Sequence, residues 1–328
     1  MREFIGRKGF TWFVGVIEDR NDPVKLGRLR VRCFGWHTED KGEIPTDKLP
    51  WALPMNSVNS AQTNNIGISP TGLVEGAWVI GFFLDGDRAQ EPVVMGTLAT
   101  IPSELANIQE GFYDPNGKYP EVIDEPDVNR LSRNDSDKPH AVIKSKEDGR
   151  TKQVSVANDA SDKWDEPSYA YNATYPYNHV KETESGHIKE FDDTADNERI
   201  HKYHKSGTFY EVQPDGTKVT RVVGENYMIV AKGNDVNIKG SCNLTIDQNC
   251  TTYIKGNWDI QVDGNKTEVV KGNVVESYAQ DQGSIHATIV TGARTVNVSD
   301  NVTEVVGGDS VLQIDKTYDV DALRIDLN

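Results

Sequence analysis

Paired carboxylates are the first chemistry to look for in a chain with 51 acidic residues, because two of them flanking a glycosidic bond suffice to hydrolyse it. Asp192 with Asp193, and Glu182 with Glu184, offer such pairs. A catalytic acid also needs an apolar pocket to raise its pKa. The flanking sequence is polar, so these residues read as solvated carboxylates. His201 and His204, in the run HKYH, suggest a metal pair, but three positions apart on a strand they point to opposite faces. Cys33, Cys242 and Cys250 are odd in number and have neither CxxC nor Cys/His ligand spacing. They read as small apolar fillers. Asp85-Gly86-Asp87 lacks the remainder of a calcium loop and fits a hairpin turn. The residues therefore predict no catalytic centre, no metal and no cofactor.

What the elements must do instead is indicated by charge and by period. A net charge of −16 disfavours nucleic acid as a partner, since phosphate binding rests on clustered Lys and Arg. A hydrophobic fraction of 36 % makes one large core hard to build, and an elongated or oligomeric chain relieves that by burying apolar residues between copies. The opening MREFIGRKGFTWFVGV has no apolar stretch of the kind that leads a secreted chain, and no segment reaches the ~18 apolar residues of a membrane span. These features predict a soluble protein made in the cytoplasm.

From about residue 216 the sequence becomes periodic. Gly224, Gly240, Gly256, Gly264 and Gly272 lie on one eight-residue grid, with Lys232 and Gln248 in the two gaps. Two residues before each grid point stand Val222, Val230, Ile238, Ile246, Ile254, Val262 and Val270. The register slips by four residues through VVESYAQDQGSIHA and resumes at Gly292 and Gly308, giving Val290, Val298, Val306 and Ile314. Alternation puts Val236 with Ile238, and Leu244 with Ile246, on one face, while Asn, Asp, Lys and Thr take the other. The Asn-x-Thr triplets at Asn243 and Asn265 belong to that polar face. Each octad predicts one short strand and one turn, the glycine supplying the turn through φ > 0.

An octad is too short for the coil of a single-chain β-helix, and a repeat that cannot bury its own face must stack. Three chains winding together, one strand each per layer, bury the Val/Ile stripe on a common axis and remove most open sheet edges. The competing reading is an antiparallel sandwich with regularly spaced turns, which does not ordinarily hold one grid across seven units.

Ahead of the repeat, residues 9–98 hold about five short β segments separated by turn signals, the pattern of an OB-like barrel. In Gly27–Cys33 strict alternation places Leu29, Val31 and Cys33 inside and Arg28, Arg30 and Arg32 outside. Glu18, Asp19, Asp22, Asp85 and Asp87 offset those arginines, which predicts a salt-bridged or partner-contacting face rather than an oligonucleotide groove. The predicted fold is all-β: a barrel over 1–100, an extended Pro-rich polar linker over 101–184, and 185–328 as the lead-in to, and body of, an intertwined trimeric β-helix.

Specific runs carry a resemblance. Gly15-Val16-Ile17-Glu18-Asp19-Arg20-Asn21-Asp22-Pro23, Leu26-Gly27-Arg28-Leu29-Arg30-Val31-Arg32, and Ile44-Pro45-Thr46 with Leu49-Pro50-Trp51 are similar to the start of the baseplate central spike of T-even-type contractile-tailed phages. Ser185-Gly186-His187-Ile188-Lys189-Glu190-Phe191, Asn197-Glu198-Arg199-Ile200 and His204-Lys205-Ser206-Gly207-Thr208 resemble the lead-in to the needle of the same family, and also the valine-glycine repeat spikes of type VI secretion. The resemblance implies that the homotrimer expected from the octads sits in the virion tail, docked by its barrel on a baseplate hub with the needle toward the host envelope. The final run DALRIDLN has no pointed cap, which predicts a small tip protein on the C-terminal end. The T-even archetype carries a muramidase domain between barrel and needle. Residues 101–184 leave no room for that helix-rich lobe, so the resemblance implies a structural role; a type VI or extracellular contractile spike, or residual peptidoglycan hydrolysis, is the alternative.

Overall fold

The computed structural model describes residues 9–68, 72–157, 159–278 and 285–321. It divides into two compact units, residues 1–250 and 251–328. Part of the expected register break, and all but the first residue of the terminal DALRIDLN, lie outside the described residues.

The first unit opens with five strands, β1 (Trp12–Asp19), β2 (Leu29–Cys33), β3 (Trp51–Pro54), β4 (Trp78–Phe83) and β5 (Pro92–Thr97). They close into a barrel in the order β1-β2-β3-β5-β4, with β3 and β5 parallel and the other pairs antiparallel. Leu29, Val31 and Cys33 alternate into its core with Phe13, Ile17, Val79 and Phe83, as the β2 pattern predicts. Gly81 lets Phe13 and the β5 backbone approach β4 more closely than a Cβ would permit. Gly15 does the same where β1 meets the Arg32 carbonyl.

Residues 101–184 are not uniformly an extended linker. They contain α1 (Arg130–Arg133), α2 (Ala141–Asp148), β6 (Val154–Val156), β7 (Asp159–Trp164) and β8 (Asn178–Glu182). The helices are short enough to escape a search for helical period, and side-chain caps secure their starts: Asn129 Oδ1 accepts from the Leu131 amide and His140 Nδ1 from the Val142 amide. Val142 and Lys146, four apart, share the buried face of α2. Leu131 and Val142 form a second core with Ile188.

Nor are residues 185–221 a simple lead-in. Strands β9 (Ile188–Asp192), β10 (Arg199–Tyr203), β11 (Phe209–Val212) and β12 (Lys218–Arg221) form an antiparallel meander that β8 extends from within the expected linker. β8 completes the sheet edge against β9.

Beyond Arg221 the described chain is a series of extended six-residue segments separated by two-residue bends, and β12 is the last strand among the described residues. Among the described residues no helix is long and apolar enough to cross a membrane.

Candidate functional site

The bends follow the octad grid. They fall at residues 223–224, 231–232, 239–240 and 247–248 in the first unit, and at 255–256, 263–264, 271–272, 291–292, 299–300, 307–308 and 315–316 in the second. Gly224, Gly240, Gly256, Gly264, Gly272, Gly292 and Gly308 all sit at bends, but none has positive φ. The expected reason for glycine at the turn is therefore corrected: the corner is made with ordinary left-half backbone angles, so Lys232, Gln248, Asp300 and Lys316 occupy equivalent corners without strain.

The apolar stripe shows the same period. Val222, Val230, Ile238, Ile246, Ile254, Val262, Val270, Val290, Val298, Val306 and Ile314 are between 38 % and 54 % exposed, whereas Leu244 is 81 % and Ile229 90 % exposed. Each stripe residue directly precedes a bend. The single chain supplies nothing further to cover the stripe, and no β-ladder joins one segment to the next among the described residues. Extended backbone of this kind presents rows of free N–H and C=O groups, a template for pairing with another chain. Cys242 and Cys250 are likewise exposed, while Cys33 is buried as expected and its thiol is pushed well up by burial.

The barrel's arginine face resolves into ion pairs. Arg28 Nη2 lies 2.7 Å from Asp22 Oδ1 and Arg30 Nε lies 3.4 Å from Asp19 Oδ2. Arg32 does not point to solvent: it is fully buried, because its guanidinium meets both oxygens of Glu18, at 2.6 and 3.1 Å. Its remaining hydrogens reach the carbonyls of Thr38 and Ile44, and Glu18 also accepts from the Phe112 amide and Thr46 Oγ1. One desolvated pair thus fastens two loops to the barrel, and a complete hydrogen-bond shell is what makes such burial tolerable. Asp85 caps the turn at the Gln90 and Glu91 amides, as a hairpin turn requires.

The carboxylates read as solvated are largely engaged. Asp192 is buried and paired with Arg199, whose guanidinium also holds Glu190 and Glu211. Lys146 enters this cluster from α2, donating to Glu211 Oε2 at 2.9 Å beneath the rings of Tyr169 and Phe209. Burial lowers its pKa to about 8 despite Glu211. His201 is buried with Nδ1 3.0 Å from Glu190 and its pKa is lowered, chiefly by burial, while His204 is exposed, so the two histidines do stand apart. Sequence alternation alone marks Glu190, Asp192, Arg199, His201 and Glu211 as one face, but a polar face reads as outward until α2 is known to cover it.

Glu184 accepts from Lys118 and Arg20, and these contacts lower its pKa to about 2. Glu182 faces a cleft of about 990 Å³ between barrel and sheet, bonded to His140 and Asn129. Glu125, in the same cleft, is held at about 2, first by Arg130. Acids kept ionised by neighbouring cations are the reverse of what proton donation to a leaving group requires. Among the described residues no cluster of three or more His, Cys, Asp or Glu forms a metal site.

A closed OB-type barrel, a meander sheet and an uncovered octad array define an OB-headed repeat protein. Residues 35–173 match the family model of the Gp5 N-terminal OB domain. The chain is 45 % identical over 280 residues to Protein Gp5 of Vibrio phage KVP40, covering 76 % of this chain and 66 % of that one. It is 48 % identical over 115 residues to the pre-baseplate central spike protein Gp5 of Enterobacteria phage T4, covering 34 % of this chain and 20 % of that one. The chain is thus similar to Gp5 proteins and carries a match to their N-terminal OB domain, and it spans less than two thirds of the length of each of these relatives.

Proposed function

We propose that the chain is the structural central spike of a phage baseplate, working as a homotrimer whose octads wind into a triple-stranded β-helix. The observation that carries this reading is an apolar stripe at eight-residue spacing on extended backbone that has no ladder partner among the described residues. Two further copies supply partners for both the stripe and the backbone. A rod built this way transmits axial force, since separating any layer requires three chains to part. The name of the phage T4 relative, a pre-baseplate central spike protein, supports the location in the tail baseplate.

In this reading the barrel end docks on a trimeric hub, the needle end contacts the host envelope, and a small tip protein closes the C-terminal end. The action is mechanical, with no catalysis of its own: the cleft acids are paired with cations and residues 101–184 form two short helices and small strands instead of a muramidase lobe. Light scattering on the purified chain tests the assembly. Three chains of 36.5 kDa give about 110 kDa, and a stable 36.5 kDa species sinks the reading. A turbidity assay on peptidoglycan tests the absence of hydrolysis, which clearing by the purified chain would contradict.

A further inference from the structure

Cys242 and Cys250 are free thiols, and the single chain leaves both exposed, whereas Cys33 is shut in the barrel core. Their spacing is that of the repeat. Each is the second residue of an extended segment, 241–246 and 249–254, and each stands four positions ahead of a stripe residue, Ile246 and Ile254. The same place in the flanking octads is taken by Asn234 and Trp258. The two cysteines of the octad region thus hold one equivalent position in consecutive octads.

Within one chain these thiols cannot meet. Extended backbone rises about 3.3 Å per residue, so an octad with one corner separates them by on the order of 20 Å, while a disulfide needs Cα atoms within about 7 Å. Three chains winding about one axis change that. By threefold symmetry each layer holds the same octad from all three chains, one on each side. At a corner a chain passes to the next side and the next layer, where it lies on the preceding octad of its neighbour. Positions eight apart in sequence therefore meet between chains, on the same face and across one strand spacing of about 4.8 Å. That spacing falls within the separation of about 4.4–6.8 Å that a disulfide spans.

We propose that Cys250 of each chain pairs with the partner's Cys242, giving three inter-chain disulfides that close the trimer covalently; this rests on the trimeric reading above. The oxidant is a peroxide. One thiolate attacks the O–O bond and becomes a sulfenic acid while the first water leaves. The partner thiolate then attacks that sulfur, the S–S bond forms, and the sulfenic oxygen leaves as a second water. Two electrons pass from the sulfurs to the peroxide, and both thiol protons end in water. Thiols stay reduced in the cytoplasm and oxidise outside it, so the chains assemble with free thiols and the rod is locked afterwards. Cys33, buried in the barrel, keeps its thiol.

The test uses the full chain, purified reduced, with hydrogen peroxide at a stoichiometric dose as the probe. Light scattering first reports the mass. After oxidation the remaining thiols are alkylated and the protein is boiled in SDS without reductant. The expected result is a species of about 110 kDa that dithiothreitol returns to 36.5 kDa. Thiol titration in denaturant should fall from three per chain to the one at Cys33, and mass spectrometry of the digest should find the Cys242 and Cys250 peptides joined. Cys242→Ser and Cys250→Ser should each keep the trimer mass and lose the covalent species entirely. A trimer whose thiols stay free, a linked pair migrating at 36.5 kDa, or a single variant that still cross-links overturns the lock and leaves the trimer standing. A monomeric mass overturns the trimer and the lock with it.

Discussion

Residues up to Arg221 and the octads after them handle polar backbone and charge in opposite ways. In the barrel and sheet nearly every buried charge has its answer within the same chain: Arg32 finds Glu18, Arg199 finds three carboxylates, and each strand has ladder partners. In the described octads the same chain leaves its segments unladdered and its stripe valines half-covered. Composition alone does not account for this: prolines stop at Pro214, but both regions are rich in β-branched and polar residues. The difference lies in repeat length. A meander strand returns to its neighbour through a hairpin, as at Thr183–Gly186, whereas an octad turns a corner every eight residues and never comes back alongside itself.

That contrast can be broken at several points. The largest effect is expected from Ile238→Asp with Ile246→Asp, which places charges on the stripe. Assembly should be lost, light scattering falling from about 110 kDa to the chain mass of 36.5 kDa, while the barrel and sheet keep their circular dichroism. Survival of the trimer would show that the stripe is not the interface. Next is Arg199→Met, which strands Glu190, Asp192 and Glu211 in the sheet's interior. About 3–5 kcal/mol of stability should disappear in denaturant unfolding of the sheet, with the octads unaffected.

Acid should act on the first region by the same route. Burial raises the pKa of Glu190, but the His201 bond and the Arg199 charge outweigh it and hold the group at about 2 against the usual 4.5. A carboxyl with a depressed folded-state pKa stabilises the fold fully above its unfolded value, and that contribution disappears as pH falls from 4.5 toward 2. Melting of the sheet should therefore drop across that window, and Glu190→Gln should flatten the dependence. The smallest effect sharpens the comparison through one residue type. Gly81→Ala drives a methyl into Phe13 and the β5 backbone and should cost about 1–3 kcal/mol. Gly256→Ala, at a corner with negative-side φ and no neighbour within 4 Å in its own chain, should change melting by about 0.5 kcal/mol or less.

Much of the barrel was legible because alternation and turn signals are local. Leu29, Val31 and Cys33 could be assigned inward from seven consecutive residues. Arg32 could not, since its burial depends on Glu18 from another strand and on carbonyls of a loop that no local pattern brings near. Helices α1 and α2 escaped detection for a related reason: at four and eight residues they are held by caps and by Leu131, Val142 and Lys146 docking on the sheet, and a period needs more turns than they possess. The octad glycines fall at bends of the backbone, and their φ angles do not support the left-handed turn expected of them.

By itself the sequence determined the eight-residue period after Arg221 and the presence of a small barrel, because each rests on spacing along the chain. Only the tertiary structure decided that β8 belongs to the meander, that α2 closes over a charged sheet face, and that Asp192 and Arg32 lie inside. Those outcomes depend on which groups meet after folding: a charge goes inside where distant segments supply its counter-charge and hydrogen bonds, and no stretch of neighbouring residues encodes that meeting.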